Sequence, residues 1–178
     1  MNNLLICFIG ESGSGKSTIV DELEKRFGYT SIQSYTTRQP RYENEKGHVF
    51  INDVAFNMLR NDLVAYTLFN GFEYGATWQQ VEANDLYVVD YRGYSELLEK
   101  YKGFKYIISI YVDASEDERR KRMLHRGDSK EKVNERIEHD KIAFLGVKEK
   151  CDYVVENNNI NKVIDKIVDI IYKESAND

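Results

Sequence analysis

Residues 10–17 limit the possible folds of this chain more sharply than any other segment. They read Gly-Glu-Ser-Gly-Ser-Gly-Lys-Ser, which matches the spacing GxxxxGK[ST]. The apolar run 4–9 before them predicts a buried strand, and the amphipathic segment 17–27 after them predicts a helix that ends at Gly28. A glycine-rich loop in this context turns its backbone N–H groups towards an anion, and the helix N-terminus adds partial positive charge. The sequence therefore predicts a phosphate-binding loop.

Two side chains of this loop carry the chemistry of a nucleoside triphosphate site. Lys16 supplies a full positive charge to the β- and γ-phosphates, and the Ser17 hydroxyl is placed to bind Mg²⁺. We therefore predict ATP as the co-substrate and Mg²⁺ as the cofactor, with Ser17 as the metal ligand of the protein. The residues of the loop that are predicted to bind ATP are Gly10, Glu11, Ser12, Gly13, Ser14, Gly15, Lys16, Ser17 and Thr18.

Strands and helices alternate along most of the 178 residues, which is the pattern of a parallel sheet covered by helices on both faces. Further strands are predicted at 86–89, 106–112 and 153–155, and further helices near 94–101, from the capping box 115–118 onwards, at about 131–144 and at 160–171. The length fits a single domain. The predicted fold class is α/β, a P-loop NTPase core with a parallel sheet flanked by helices and interrupted by an inserted lobe.

The segment from about 34 to 84 breaks the alternation and is predicted to be that lobe. Within it, the runs 63–69 and 72–77 flank Asn70-Gly71, a dipeptide typical of a two-residue hairpin turn. Such a turn fixes the register of the two strands. The residues predicted to face each other on one side of the ribbon are 69 and 72, 67 and 74, and 65 and 76.

Composition argues against several other functions. The net charge is −5 with both signs spread along the chain, so no basic face for nucleic acid is predicted. The N-terminal apolar run 4–9 is too short for a signal peptide or a membrane span. Cys7 and Cys151 lack partners at metal-ligand spacing and are predicted to be reduced. We expect a cytoplasmic protein, a monomer or homodimer, with small-molecule partners and with neither nucleic acid nor membrane as a partner.

A second anion site is predicted behind the phosphate-binding loop. Residues 34–41 read Ser-Tyr-Thr-Thr-Arg-Gln-Pro-Arg, with Arg38 and Arg41 on either side of Pro40. The proline ring stiffens the segment, and a guanidinium group binds phosphate through two parallel hydrogen bonds. On these residues alone, the alternative that both arginines are solvated surface charges stays open.

Segment 34–41, at this distance behind a phosphate-binding loop, resembles guanylate kinase, and the resemblance covers about residues 4–172. The other segments that match are Gly47–Phe50, Tyr74–Thr77, Val89-Asp90 with Gly93, the basic stretch with Arg122, Arg126, Gly127 and Arg136, and Val154–Asn157. The resemblance implies a nucleoside monophosphate kinase of three parts. These are a core at about 1–33, 85–125 and 145–178, an acceptor-binding lobe at about 34–84 and a lid at about 126–144.

The resemblance also implies roles for single residues. Those implied to bind the acceptor phosphate are Ser34, Arg38, Arg41 and Tyr74. Those implied to be catalytic, by neutralising the transferring phosphoryl group, are Lys16, Arg122, Arg126 and Arg136. Arg122 and Arg126 are four residues apart and share a helix face, although a solvated basic face is the alternative. Asp90 would lie near the acceptor base or the metal, or cap a helix, and Asn157 would lie near the adenine or form a turn.

The base end of the acceptor site departs from the family pattern. A glutamate and a serine of the hairpin read guanine in the family, and Ala65 and Ala76 stand at these positions. Because a hydrogen bond to a charged group contributes roughly 1.5–3 kcal/mol, we expect weaker selectivity for guanine. Thr67, on the same hairpin face, is a candidate substitute hydroxyl. His48 stands where the family has a tyrosine that holds the acceptor phosphate, and it is a candidate donor to that phosphate.

The predicted function is ATP-dependent phosphoryl transfer to a nucleoside monophosphate, with GMP or dGMP as the best candidate acceptor and GDP or dGDP plus ADP as products. One alternative, which the two alanines favour, is a P-loop kinase of another phosphorylated small molecule, such as a modified nucleotide or a sugar phosphate. A second alternative is a non-catalytic guanylate-kinase-like binding module, against which the intact Lys16 and Ser17 argue. Trp78, just past the hairpin, is expected in the core, with stacking on a base as the alternative.

Overall fold

The computed structural model of the protein describes residues 3–176. Within this range the chain forms eight strands and seven α-helices. The strands are β1 (Leu4–Ile9), β2 (Ser34–Thr36), β3 (His48–Phe50), β4 (Leu63–Phe69), β5 (Phe72–Thr77), β6 (Leu86–Val88), β7 (Tyr106–Asp113) and β8 (Tyr153–Glu156). The helices are α1 (Lys16–Phe27), α2 (Asp53–Leu59), α3 (Trp78–Ala83), α4 (Tyr91–Lys100), α5 (Glu116–His125), α6 (Lys130–Ala143) and α7 (Ile160–Ser175).

The core is a parallel sheet with the strand order β6-β1-β7-β8. All six residues of β1 are buried, because alternate side chains point to opposite faces and both faces are covered. Leu4, Ile6 and Phe8 pack with α1 and α7 in one cluster, whereas Leu5, Cys7 and Ile9 pack with α4 and the hairpin in another. The predicted α/β class with a parallel sheet flanked by helices is therefore confirmed.

Four strands between residues 34 and 77 form a second sheet with the order β3-β2-β5-β4. The hairpin of β4 and β5 has the predicted register: Phe69 pairs with Phe72, Thr67 with Tyr74 and Ala65 with Ala76. The turn residues Asn70 and Gly71 have φ angles of 51° and 77°. Positive φ at both positions is the signature of a type I′ turn, which suits the twist of a hairpin. The predicted hairpin is thus confirmed residue by residue.

Two expectations need correction. Helix α4 begins at Tyr91, three residues before the predicted start, because the Asp90 side chain accepts the Gly93 N–H and caps the helix. Trp78 is 44% exposed, so the expected core position is wrong: the six-residue helix α3 is anchored in the core by Val81.

Two further features concern the thiols and the helices of the described residues. Both Cys7 and Cys151 are free thiols. Among residues 3–176, no helix has the length and apolar character needed to cross a membrane.

Candidate functional site

The phosphate-binding loop lies between β1 and α1, as the sequence predicts. The Lys16 ammonium folds back into the loop and donates to the carbonyl oxygens of Gly10, at 2.6 Å, and Glu11, at 3.0 Å. Gly13 and Gly15 have φ angles of 77° and 98°, which favour glycine. A Cβ atom on Gly15 would lie 2.3 Å from the Asn157 side-chain nitrogen, so no larger residue fits there.

Burial lowers the pKa of Lys16 to about 8, and the nearby positive charges of Arg119 and Arg126 act in the same direction. The carboxylate of Asp140 opposes the shift. Without a bound phosphate, about half of the Lys16 ammonium has therefore lost its proton at pH 8, whereas a free lysine keeps it to above pH 10. A bound phosphate would favour the charged form again.

We expect this shift to appear as proton uptake when Mg-ATP binds at alkaline pH. At about pH 9 the empty folded loop holds mostly neutral Lys16, and binding restores the ammonium, so close to one proton is taken up per site. At about pH 7 the lysine is charged in both states and this uptake is absent. Calorimetry in two buffers of different ionisation enthalpy measures the difference. Lys16→Arg, which stays charged, is the control, and equal uptake by both proteins would contradict the assignment to Lys16.

Asn157 and Arg122 both donate hydrogen bonds to the backbone of the phosphate-binding loop. The buried Asn157 amide donates to the Ser14 carbonyl at 2.7 Å, and Arg122 donates to the carbonyls of Ser14, at 3.0 Å, and Asn157, at 2.7 Å. The Asn157 side chain is therefore committed to the loop and not to a turn of its own chain. Both residues fix the loop in the shape that presents its N–H groups.

The charges of three other arginines, on α5, α6 and the acceptor segment, act on the pKa of Arg41. Arg126 ends α5 and pairs with Asp128 at 2.5 Å. Burial lowers the pKa of Arg41, and the charges of Arg38, Arg136 and Arg126 lower it further. These charges raise the positive potential at Arg41, which favours an anion there.

The two arginines of segment 34–41 share one carboxylate as hydrogen-bond acceptor, that of Glu45. Arg38 donates two hydrogen bonds to Glu45, at 2.9 and 3.1 Å, and one to the Tyr74 hydroxyl at 3.2 Å. Arg41 donates its backbone N–H to Glu45 at 2.6 Å. Burial alone would raise the pKa of Glu45, but these partners lower it, so the carboxylate is ionised at neutral pH. Glu45 thus orients both guanidinium groups.

His48 and Ser34 lie side by side in the lining of the cavity next to Tyr74. The Ser34 hydroxyl lies 2.9 Å from His48 Nδ1, and the His48 ring meets the Tyr74 ring edge-on, with centroids 5.6 Å apart. Burial, followed by the charge of Arg38, lowers the pKa of His48 to about 4. His48 is therefore neutral at pH 7 and offers an acceptor phosphate an N–H group at most, not a charge.

At the base end, two polar side chains line the cavity. Asp90 uses one carboxylate oxygen to cap α4, and Thr67 is buried opposite Tyr74. Ala65 and Ala76 are paired and fully buried behind the cavity, in the same cluster as β1. The predicted pairing of the two alanines is confirmed, and they give this end of the cavity no hydrogen-bonding group.

Comparison with known proteins identifies the family. The solved structure of guanylate kinase from Anaplasma phagocytophilum matches with a TM-score of 0.69 over 97% of this chain and 86% of that chain, at 22% identity, which supports the fold. A family model described as an AAA domain matches residues 6–143. Guanylate kinase of Thermotoga maritima is 30% identical, covering 99% of this chain and 89% of the relative, and that of Clostridium tetani is 29% identical over 97% and 87%. The chain belongs to the AAA domain and guanylate kinase families.

Membership of the guanylate kinase family makes this chain a nucleoside monophosphate kinase. The alternative of a non-catalytic binding module is therefore set aside.

The residues also fit the Mg²⁺ that the family implies. The Ser17 hydroxyl is exposed in the first turn of α1, beside Lys16, and has no hydrogen-bond partner among residues 3–176. Mg²⁺ binds through one or two protein oxygens, with water and phosphate oxygens completing its shell, so a single hydroxyl suffices.

Two features of this guanylate kinase family member escaped the sequence analysis. One is Glu45, whose only sequence signal is an acidic residue four places after Arg41. The other is a buried ionic cluster at the phosphate-binding loop: Arg119 contacts Glu11 at 3.1 Å and Asp140 at 3.4 Å. A signal for this cluster exists, because Asp140 continues the buried stripe of Val133 and Ile137 on α6.

Proposed function

We propose that this protein transfers the γ-phosphoryl group of ATP to a nucleoside monophosphate, with GMP and dGMP as its best acceptors and ADP plus GDP or dGDP as products. The observation that carries the proposal is that one cavity is lined at one end by the phosphate-binding loop, with Lys16, and at the other by Arg41 and Tyr74. Two sites for phosphate that share a cavity suit transfer between two phosphorylated molecules. Relatives named guanylate kinase support the choice of acceptor.

The chemistry asks for positioning and charge neutralisation and needs no general base. The attacking group is an oxygen of the acceptor phosphate, already ionised at neutral pH. Lys16 and the loop N–H groups hold the donor phosphates, while Arg38, Arg41 and Tyr74 hold the acceptor phosphate in line with them. Mg²⁺, bound at Ser17, would supply positive charge to the donor phosphates.

We further propose the division into core, acceptor-binding lobe (34–84) and lid (126–144). The lid, which contains α6, would bring Arg126 and Arg136 to the transferring group. Arg122 would act with them from α5. Exclusion of water by the lid would protect ATP from hydrolysis.

Asp90 is the best-placed residue to read the base. An ionised carboxylate only accepts hydrogen bonds, and guanine offers two donors on adjacent positions of its edge. Asp90 keeps one oxygen free, since its other oxygen caps α4. Thr67 adds a hydroxyl, which has no hydrogen-bond partner within residues 3–176. The absence of polar groups at Ala65 and Ala76 favours one rival, a P-loop kinase of a modified nucleotide or a sugar phosphate.

We expect GMP and dGMP to be preferred by a modest margin, less than about a thousandfold in kcat/KM, because alanines leave no polar group unpaired when the wrong base binds. A coupled ADP-release assay over the ribo- and deoxyribonucleoside monophosphates measures this. Asp90→Asn should reduce the preference in kcat/KM for GMP and dGMP further. The melting temperature should stay the same, since asparagine caps a helix as well as aspartate does.

Three possible results of this assay would each change the proposal. A preference for GMP beyond about a thousandfold would mean that other residues read the base. An unchanged profile in Asp90→Asn, with an unchanged melting temperature, would remove Asp90 from base recognition. If no nucleoside monophosphate is phosphorylated, the proposed acceptor is wrong. Sugar phosphates and modified nucleotides would then be the acceptors to test.

A further inference from the structure

A carboxylate of the protein occupies the phosphate-binding loop. Asp140, on the lid helix α6, accepts the backbone N–H of Ser12 at 2.6 Å, although the two residues are 128 positions apart. Asp140 is 1% exposed and lines the same cavity as Lys16. Backbone N–H groups of such a loop are the donors that hold phosphate oxygens. One of these donors is therefore committed to an internal anion.

The positive charge of Arg119 holds the Asp140 carboxylate in this position. Arg119, on α5, is 3% exposed and donates to Asp140 at 3.4 Å, while Glu11 of the loop contacts the same guanidinium at 3.1 Å. The Arg119 Nε atom is buried without a hydrogen-bond partner within residues 3–176. One arginine thus serves two carboxylates and has unused capacity for an anion. A buried carboxylate that lost its partners would carry a large desolvation cost, so the contact resists opening.

We propose that Asp140 is an internal substitute for a donor phosphate, which fastens the lid helix to the phosphate-binding loop and must leave when ATP binds. This inference rests on the proposed use of ATP at the loop. A triphosphate and the Asp140 carboxylate are both anions that compete for the Ser12 N–H and for the field of Lys16 and Arg119. Each excludes the other, so the contact lowers the apparent affinity for ATP.

The lid helix also carries the group that would replace the carboxylate. Arg136 lies four residues before Asp140 on α6, so both side chains project from one face of the helix. A movement of α6 that withdraws Asp140 from the loop carries Arg136 with it. The same helix therefore carries the carboxylate that contacts the loop and, one turn away, the arginine proposed to neutralise the transferring phosphoryl group.

The test is the binding of the non-hydrolysable analogue Mg-AMPPNP to the full chain by calorimetry. Asp140→Asn keeps the size of the side chain but removes its charge, and we expect it to bind AMPPNP at least about fivefold more tightly than wild type. The matched control is Glu138→Gln, which removes the same charge from an exposed position of the same helix, where Glu138 pairs with Lys141. This control should bind as wild type does.

Unchanged or weaker binding by Asp140→Asn would overturn the proposal, and weaker binding would place Asp140 among the groups that assist ATP. If none of the three proteins binds AMPPNP, the proposed function fails and the proposal fails with it. A crystal structure of wild type with Mg-AMPPNP decides the matter without any variant. We expect the Ser12 N–H to be released from Asp140, and a retained hydrogen bond would contradict the proposal.

Discussion

Lys16→Ala is expected to lower phosphoryl transfer by at least about a thousandfold, with the fold retained. The loop's backbone N–H groups survive the change, but no other group in the loop can supply a full positive charge to the phosphates. The fold survives because the Lys16 ammonium bonds only to atoms of the loop itself. A coupled ADP assay and circular dichroism measure the two effects.

The control for this variant is Lys25→Ala, an exposed lysine of the same helix, which should leave turnover unchanged. Turnover of Lys16→Ala within about tenfold of wild type would contradict the role assigned to the loop.

Arg38→Ala is expected to weaken binding of the acceptor nucleotide by about a hundredfold, while ATP affinity stays the same. The side chain is 10% exposed and bonds to both Glu45 and Tyr74, so its loss removes a phosphate ligand and leaves the Glu45 carboxylate facing an incoming phosphate. Two hydrogen bonds to charged groups account for roughly 3 kcal/mol, which is about a hundredfold. Arg41→Ala should act in the same direction but less, because its side chain is 39% exposed.

Separate calorimetric titrations with the acceptor and with ATP test this prediction. Arg60→Ala, which removes an exposed arginine of the same lobe that pairs with Glu73, is the control. Adding Glu45→Gln to Arg38→Ala should restore part of the lost affinity, since it removes the unpaired carboxylate. Equal losses for ATP and acceptor would place Arg38 outside the acceptor site.

Local chemistry explains why much of the fold could be predicted. The hairpin register follows from Asn70-Gly71, because this dipeptide favours the type I′ turn, whose two positive φ angles suit a two-residue connection. The phosphate-binding loop is equally local, since its glycines, lysine and flanking elements lie within 24 residues of one another, from Leu4 to Phe27. In both cases the decisive contacts join residues that are close in sequence.

The parts that could not be predicted depend on contacts between distant segments. Asp140 reaches Ser12 across 128 positions, and Asn157 reaches Ser14 across 143. The spacing of Asp140 from Val133 and Ile137 marks it as buried but does not name Ser12 as its partner, and nothing near Asn157 distinguishes it from a turn-forming residue. Glu45 lies close to its partners in sequence, but the loop between Arg41 and Gly47 has no regular structure, so its geometry follows from the ion pairs and not from a pattern.

The pairing of strands that are far apart in the chain also has a consequence for the order of folding. The hairpin of β4 and β5 joins neighbouring segments and can form as soon as residue 77 is available, whereas β1 pairs with β7, whose last residue is Asp113. Contacts between distant segments close large loops and form later than local ones. During synthesis, β1 can pair with β6 before β7 is made, but its other edge stays unpaired until residue 113 is available, and chaperone contact with the nascent chain is expected to concentrate on residues 4–9 until then.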